Sequence, residues 1–178
     1  MDTEPRGLLP NLKEIQTSRK KIHLRKASSK DSRFLWELAN EPEVRANSFS
    51  SAPISWEEHV NWFRSKTVEP SCVFFIASDD QNVPVGQVRF DLIGEEAVIS
   101  ISVTKECRGC SYGTTIIELS SAKIFESSDV KKIHAYVKAA NSPSAKAFLK
   151  ANFKDAGLTP IRGNEAKHFV LAREDVYA

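Results

Sequence analysis

The sequence predicts a single α/β domain of the α+β kind, in which helices flank a central mixed, mostly antiparallel sheet. Short apolar segments typical of strands alternate along the chain with longer segments that repeat apolar residues at helical spacing. Three strand-like segments follow one another with only tight turns between them, which indicates an antiparallel meander. The length of 178 residues suits one domain with a core of its own and is short for two.

Seven strands are predicted from runs of β-branched, aromatic and other apolar residues bounded by turn residues. The first follows a basic run, and the next three form the meander, with turns at residues 79–82 and 94–96. The fifth follows the third helix, and the last two close the chain. The predicted strands span residues 21–26, 72–77, 85–92, 98–103, 132–138, 155–158 and 168–172.

Two helices are predicted between the first two strands. Ser29 is expected to cap the first, which ends near Asn40 ahead of a proline, and residues 40–49 read as a loop or a broken helix. The second begins with a capping box in which Ser55 and Glu58 satisfy each other's backbone N–H groups. The side chains that it is expected to bury are Trp56, Val60 and Phe63.

Two further helices follow the meander. The third opens from a glycine-containing loop and carries Ile116, Ile117 and Ile124 at helical spacing. The fourth is expected to begin with Ser142 as its cap and Pro143 in its first turn. Both predicted helices lie between strands, as expected of a mixed α/β domain.

Composition excludes several classes of function. The 25 Lys and Arg residues nearly balance the 23 Asp and Glu residues, so bulk charge gives no reason to expect a nucleic-acid partner. No apolar stretch approaches the roughly 18 to 20 residues of a membrane span, and the N-terminus lacks the apolar segment of a signal peptide. Three cysteines fit a reducing compartment better than a disulfide scaffold. A soluble, cytoplasmic protein without membrane or nucleic-acid partners is therefore expected.

The first 20 residues are polar and contain prolines. They are expected to form a flexible tail outside the domain, which is predicted to span residues 21–178. The assembly is expected to be a monomer or a homodimer.

The strand, loop and helix start at residues 100–114 predict an anion site. The strand leads into a short loop holding Arg108, Gly109 and Gly113, and a helix follows at once. Backbone N–H groups and the positive end of a helix dipole then point at one place. No Gly-Lys-Ser/Thr follows, so this is not a Walker loop, and no parallel βαβ unit with a distal acidic residue supports a dinucleotide fingerprint.

Two alternatives remain for this loop on its residues alone. It can be an ordinary strand-to-helix turn that uses glycine for its geometry. Cys107 and Cys110 also form a CxxC pair just before a helix, a placement that lowers thiol pKa in redox proteins. The order of elements is not that of thioredoxin, and too few ligands remain for a zinc site.

Two motifs in this order and spacing resemble the GCN5-related N-acetyltransferase (GNAT) family. The segment 108–113, Arg-Gly-Cys-Ser-Tyr-Gly, is similar to the family signature Arg/Gln-x-x-Gly-x-Gly/Ala, with Ser111 at the usual middle glycine. The segment 141–153 is similar to the family's Asn-x-x-Ser-x-x-x-Tyr/Phe-x-Lys-x-Gly-Phe helix, with Asn152 at the glycine. The resemblance covers roughly residues 22–173 and implies a GNAT-like fold.

The resemblance also implies acetyl-CoA as the cofactor. The backbone of the strand would pair with the pantetheine arm, the loop N–H groups would hold the pyrophosphate, and the Asn141 helix would contact the far end, with Phe148 near the thioester. The cofactor-binding residues so implied are Ile101, Ser102, Val103, Arg108, Gly109, Cys110, Ser111, Tyr112, Gly113, Thr114, Asn141, Ser144, Lys146 and Phe148.

Catalytic candidates lie on and just before the strand at 98–103. The base Glu that the family often carries matches Ala97. Glu95 and Glu96, at the turn just before it, are the carboxylates expected to act through a water, and Glu96 is taken as the catalytic candidate. Ser100 and Ser102 are small polar groups able to order a water or relay a proton. The family's acid Tyr matches Phe148, which leaves Tyr112 or Tyr136 as substitutes.

The acceptor is expected between the early helices and the central strands. The segments at 40–45, 53–62 and 86–91 look like those of acetyltransferases for nucleotide-linked amino sugars, with pseudaminic acid synthesis as the nearest example. A small-molecule amine, most specifically a sugar nucleotide, is the expected partner. The alternatives are a protein N-terminus, a free amino acid, or a CoA-binding module without catalysis. The substrate-binding candidates are Arg45, Asn47, Trp56, His59, Arg89 and Asp91.

Overall fold

The structure is a computed structural model that describes residues 21–177, so the predicted tail lies outside the described residues. The strands are β1 His23–Lys26, β2 Cys72–Ser78, β3 Pro84–Ile93, β4 Glu96–Val103, β5 Lys132–Lys138, β6 Lys154–Ile161 and β7 Asn164–Ala172. The α-helices are α1 Ser32–Ala39, α2 Pro42–Asn47, α3 Trp56–Val68, α4 Tyr112–Ser127, α5 Ser142–Lys150 and α6 Glu174–Tyr177. Short 3-10 turns at Ser29–Asp31 and Lys105–Cys107 precede α1 and α4.

All seven strands form one sheet, in the order β1-β2-β3-β4-β5-β7-β6. Every neighbouring pair is antiparallel except β4 and β5, which are parallel. A parallel pair needs a crossover connection, and α4 supplies it here. The predicted mixed, mostly antiparallel sheet is therefore confirmed.

The two sides of the sheet are covered differently. On one side, here called the α4 side, α4 and α5 pack against buried residues of β2 to β5 and β7, among them Phe90, Ile99 and Ile133. On the other, here called the α3 side, a smaller cluster joins Leu35 and Phe63 of the helices to β2. Within the described residues the α3 side of β4, β5 and β7 carries half-buried polar side chains, which leaves that region suited to a ligand.

Most predicted elements are confirmed, and five details are corrected. Residues 42–47 form the helix α2, the last two strands are longer than predicted, and α6 was not predicted. The fourth predicted helix is capped by Asn141, whose Oδ1 accepts from the Ser144 N–H at 3.2 Å, and not by Ser142. Before α1, Asp31 accepts from the Ser28 N–H at 2.7 Å, so the predicted cap at Ser29 is displaced by one residue.

The capping box at the start of α3 is confirmed, but the buried face of this helix differs from the prediction. The Ser55 N–H donates to Glu58 Oε2 at 2.9 Å, and the Glu58 N–H donates to Ser55 Oγ at 3.2 Å. His59 and Phe63 are buried, whereas Trp56 is 43% exposed. The helix is rotated so that the imidazole, not the indole, enters the core.

Candidate functional site

The sheet opens into a V-shaped gap between β4 and β5. Their parallel pairing runs from Glu96 and Lys132 to Ile99 and Ala135 and then stops, although both strands continue. We call the last pair the apex. Beyond it the backbone of residues 101–103 pairs with β3 on one edge and faces the gap on the other. Unpaired strand backbone of this kind can accept an extended ligand as an added strand.

The loop between β4 and α4 lies at the wide end of this gap. Gly109 has a φ of +71° and Ser111 a φ of +66°, and Ser111 is the residue before the first turn of α4. The Thr115 N–H is already bonded to the Ser111 carbonyl at 3.1 Å. Gly113 and Thr114 precede it in the first turn, where the helix offers their N–H groups no carbonyl one turn earlier, which is the condition for anion binding.

The contacts of Arg108 differ from those expected of a residue that binds the cofactor. Its N–H donates to the Lys105 carbonyl at 3.3 Å, so the N–H groups of the predicted anion site begin at Gly109. Its guanidinium donates to the Val103 carbonyl at 3.0 Å and to Glu43 at 3.0 Å, and it also contacts Glu41. The arginine thus ties the loop to α2 rather than pointing at the anion site.

The α2 segment extends across the wide end of the gap. Besides the contact with Arg108, Lys138 Nζ at the end of β5 donates to the Ala46 carbonyl at 2.9 Å. Asn164 Nδ2 at the start of β7 lies 3.5 Å from the Phe49 carbonyl. The gap is therefore bounded by the loop on one side and by α2 on the side where an acceptor is expected.

The helix α5 lies on the α4 side of the sheet with its start near the end of β5. Ser144 is half-buried, and its N–H is used by the Asn141 cap, while Lys146 is exposed. Phe148 is 3% exposed and lies in the core, with ring centroids 5.1 Å from Phe153 and 6.1 Å from Phe169. Phe148 is therefore a packing residue in this structure.

The catalytic candidates on β4 point to the α3 side of the sheet. Ser100 pairs with Arg89 of the neighbouring strand β3, and Ser102 Oγ lies 3.4 Å from Gln87 Nε2. Glu96 is at the narrow end of the gap, with its side chain 55% exposed. Ala97 is fully buried on the α4 side, so the expectation that it occupies the position of a base is wrong, because a carboxylate there would face the core.

Two histidines that are not among the predicted site residues lie on the α3 side beside the apex. His134 Nδ1 and His168 Nε2 are 2.9 Å apart, and His134 Nε2 lies 3.2 Å from Glu96 Oε2. Tyr136 stacks on His168, with ring centroids 4.7 Å apart. Alternation of apolar and polar residues along β5 was the available signal, but only the pairing of β5 with β7 brings His168 to His134.

The acceptor candidates separate into two groups. Arg45 is engaged with backbone on both sides of α2: its donors reach the carbonyl of Ala39, at the end of α1, at 2.5 Å and those of Ser50 and Ala52, after α2, at 3.0 and 3.3 Å. Burial lowers the pKa of Arg45. Asn47 ends α2. Both belong to the segment at the wide end of the gap.

The second group lies on α3 and β3. Arg89 donates to Asp91 at 3.0 Å and lies 5.2 Å above the Trp62 ring. His59 is 2% exposed and lies between the rings of Trp56 and Phe63, and burial lowers its pKa. It is a core residue and does not face the acceptor region.

A cavity of about 270 Å³ lies apart from the gap, at the C-terminal end of α3 between Lys26, Lys66 and Pro70. No residue of β4 or β5 lines it. Within residues 21–177 no cluster of His, Cys, Asp or Glu side chains is arranged to hold a metal ion. In the same range no helix has the length and apolar character needed to cross a membrane.

Comparison with known proteins gives matches of sequence and of structure. A family model for the acetyltransferase (GNAT) domain matches residues 21–154. The "Putative phosphinothricin acetyltransferase YwnH" of Bacillus subtilis (strain 168) is 25% identical over 132 residues, which cover 68% of this chain and 79% of the relative.

Two solved structures share the fold at lower identity. Spermidine N-acetyltransferase from Vibrio cholerae, in complex with CoA and spermine, superposes with a TM-score of 0.80 at 19% identity, covering 88% of this chain and 98% of that one. The structure of AAC(6')-Ib in complex with ribostamycin and coenzyme A gives a TM-score of 0.79 at 17% identity, covering 88% and 96%.

Proposed function

The chain belongs to the acetyltransferase (GNAT) domain family, and from this we propose that it transfers the acetyl group of acetyl-CoA directly to the primary amine of a small molecule. As a member of this family, the protein is an acetyl-CoA-dependent N-acetyltransferase. The single observation that best supports a cofactor site in this chain is the end of the β4–β5 pairing at Ile99 and Ala135.

The gap suits the pantetheine arm of the cofactor. The backbone of Ile101, Ser102 and Val103 is free of β5 and can bond the amides of the arm as a neighbouring strand would. An extended arm on these residues would bring the thioester toward the apex. A backbone N–H group of β4 that faces the gap there would polarise the thioester carbonyl, which gains negative charge as the amine attacks.

The loop at the start of α4 suits the pyrophosphate. A Cβ at Gly113 would make only an ordinary 3.8 Å contact with Val103, so the packing of the protein does not itself demand glycine there. A glycine that the chain's own packing does not need is typical of close approach by a ligand to the backbone. Two negative charges at this place are favoured by the helix dipole and by the N–H groups from Gly109 to Thr114.

The remaining cofactor residues are proposed on the same basis. The first turn of α5, with Asn141 and Ser144, lies beyond β5 and can border the far end of the cofactor, with exposed Lys146 able to reach an anion. Cys110 is exposed and lies in the loop, away from the apex, which supports direct transfer rather than an acetyl-cysteine intermediate.

For the acceptor we propose a small-molecule amine, since the named relatives are acetyltransferases for spermidine and phosphinothricin. The nucleotide-linked amino sugar is the narrower candidate. Trp56 and Trp62 favour it, because their rings are 43% and 38% exposed on α3 and can stack on a sugar. Arg45 and Arg89 weigh against a diphosphate, because their guanidinium groups already bond backbone carbonyls and Asp91.

A panel assay of free CoA release tests these proposals. The acceptors are spermidine, kanamycin, phosphinothricin, glucosamine, a nucleotide-linked amino sugar and a peptide with a free N-terminus. Release with one or more small amines is the expected result. Release only with the peptide would favour a protein N-terminus, and acetyl-CoA binding by calorimetry without release on any amine would indicate a non-catalytic module.

A further inference from the structure

The two histidines and one tyrosine beside the apex form a stacked group. The His168 ring lies 5.2 Å from His134 at an angle of 20°, and 4.7 Å from Tyr136 at 14°. In the sheet register His168 pairs with Tyr136, and His134 pairs with Val98 of β4. All three side chains therefore lie on the α3 side of the sheet, where the acceptor is expected.

The position along β5 places this group at the reacting end of the gap. His134 directly precedes Ala135, the last residue of β5 that pairs with β4, and Tyr136 directly follows it. Ser100 directly follows the apex on β4 and faces the same side. A thioester at the apex would thus have the histidine pair on the side from which the amine approaches.

The contacts of the pair orient its protons. Glu96 Oε2 lies 3.2 Å from His134 Nε2, close enough for an ion pair, although the angle is too bent for a regular hydrogen bond. A carboxylate at this distance favours the proton on Nε2, which leaves His134 Nδ1 to accept from His168 Nε2–H at 2.9 Å. His168 Nδ1 then keeps a lone pair for a further proton.

We infer that the hydrogen-bonded pair of His134 and His168 accepts the proton that the amine loses during acetyl transfer. This inference rests on the proposed function. The amine nitrogen forms a bond to the thioester carbonyl carbon, and the carbon–sulfur bond breaks to give the N-acetyl product and CoA thiolate. The pair takes the proton from the nitrogen and returns it to the thiolate sulfur, which leaves the pair neutral for the next cycle.

The surroundings of the pair keep His168 neutral before the reaction and place a carboxylate where the proton is taken up. Burial, and then the neighbouring His134, lower the pKa of His168, so this ring is neutral when the amine arrives. Glu96 is the acidic group in contact with the pair and stabilises the imidazolium once it forms. The other titratable groups facing this side from β5 and β6 are Lys132, Tyr136, Lys138 and Lys154.

The test compares His134→Gln and His168→Gln with the matched control His23→Gln, which alters an exposed histidine on β1 at the opposite edge of the sheet. Glutamine keeps hydrogen-bonding groups but does not titrate. For each panel amine that the wild type acetylates, kcat and KM are measured across pH. Acetyl-CoA binding is measured by calorimetry on the same proteins.

We expect both pair variants to lower kcat by about 100-fold and to lose the acid limb of the pH profile, with acetyl-CoA affinity unchanged. His23→Gln should match the wild type. Glu96→Gln should shift the acid limb to lower pH, because the imidazolium loses a neighbouring negative charge.

The outcomes separate this inference from the proposed function. A pair variant with wild-type kcat and an unchanged pH profile overturns the proton-acceptor role and leaves acetyl transfer standing. Reduced folding stability with an unchanged pH profile also overturns it, since that result marks a structural pair. Wild-type protein that releases no CoA with any amine overturns both.

Discussion

Ser111 and Asn152 each hold a left-handed backbone, with φ of +66° and +64°, at the two places where the related family motifs carry glycine. Glycine adopts this conformation freely, whereas a residue with a Cβ is strained there. Both positions therefore hold a conformation that suits glycine, with local strain from the side chain that is present. Their cost should differ, because asparagine tolerates the left-handed region better than serine does.

Ser111→Gly is expected to raise the free energy of unfolding by about 0.5 to 1 kcal/mol, because it removes this strain while adding some freedom to the unfolded chain. The Ser111 side chain makes no capping hydrogen bond that the change would remove. Urea denaturation of the cofactor-free protein measures the difference. Asn152→Gly is the matched comparison and should change stability less, and a loss of stability in Ser111→Gly would contradict the argument.

Asp31 provides a second prediction for a single residue. It is 6% exposed and accepts from the Arg25 guanidinium at 2.6 and 2.8 Å and from the Ser28 N–H at 2.7 Å. The bonds from Arg25, and then those from Ser28, hold the pKa of Asp31 below its usual range against the opposing effect of burial. Its contribution to stability is therefore present above the unfolded-state pKa of roughly 3.9 and is lost as pH falls through the lower folded-state value.

Asp31→Asn should accordingly lower the free energy of unfolding by about 2 kcal/mol near neutral pH. The difference from wild type should shrink as the pH falls below about 4, because the carboxylate then takes up a proton in the unfolded wild type, and at still lower pH in the folded protein as well. Urea denaturation at several pH values measures this trend. Asp80→Asn, in the exposed turn before β3, is the control and should have little effect at any pH; a pH-independent loss in Asp31→Asn would refute the role of the charge.

At the scale of elements, the contact between α2 and the loop before α4 joins the two halves of the site. The Arg108 side chain bonds Glu43 and contacts Glu41, with 22% of its side chain exposed. Glu41 is 29% exposed and Glu43 60%, so Glu41 should contribute more, since exposed ion pairs are weakened by solvent. This link holds α2 against the loop between β4 and α4.

Arg108→Gln is expected to raise the KM for the amine by about tenfold, the equivalent of losing about 1.4 kcal/mol of ordering of α2. Acetyl-CoA affinity should stay within about threefold, because the anion is proposed to bind backbone N–H groups, whereas the guanidinium bonds Val103 and Glu43. Steady-state kinetics with calorimetry tests both parts. Glu41→Gln should reproduce the effect and Glu43→Gln should produce less of it; a large loss of acetyl-CoA affinity with unchanged KM would instead place the guanidinium on the cofactor.

At the scale of the whole molecule, the sheet is open where the cofactor is proposed to bind. Residues 101–103 of β4 and the end of β5 are not paired with each other, whereas the two strands are paired up to Ile99 and Ala135. A ligand that fills the gap completes the sheet and links β4, the loop and α5. Binding to the folded chain alone must raise its stability by mass action.

Acetyl-CoA at about 100 times its dissociation constant should therefore stabilise the protein by about 2.7 kcal/mol. For a chain of this size that corresponds to a rise in Tm of about 5 to 10 °C. Thermal unfolding followed by circular dichroism measures the shift. A short acetyl thioester without the pyrophosphate, at equal concentration, is the control and should give a much smaller shift; equal shifts would contradict the role of the loop N–H groups.

Much of the fold could be predicted because its signals are local. The meander, the Ser55 capping box and the loop before α4 depend on residues within a few positions of one another. The caps predicted at Ser29 and Ser142 lie one residue earlier, at Ser28 and Asn141, because several neighbouring residues could serve as the cap. The candidate site could be proposed from sequence where it consists of the backbone of a motif. Sequence patterns give less information where the site depends on the direction of side chains.

The sequence by itself determined the order of elements, the family signature and the helix start that favours an anion, since these follow from short-range spacing and backbone chemistry. Only the tertiary structure decided which side of the sheet each side chain faces. Register places Ala97 in the core and Glu96 beside His134, and it joins His134 to His168 across 34 positions of sequence. Such contacts depend on how strands that are distant in sequence pair. Burial of apolar side chains across the entire sheet sets that pairing, and no local sequence pattern specifies it.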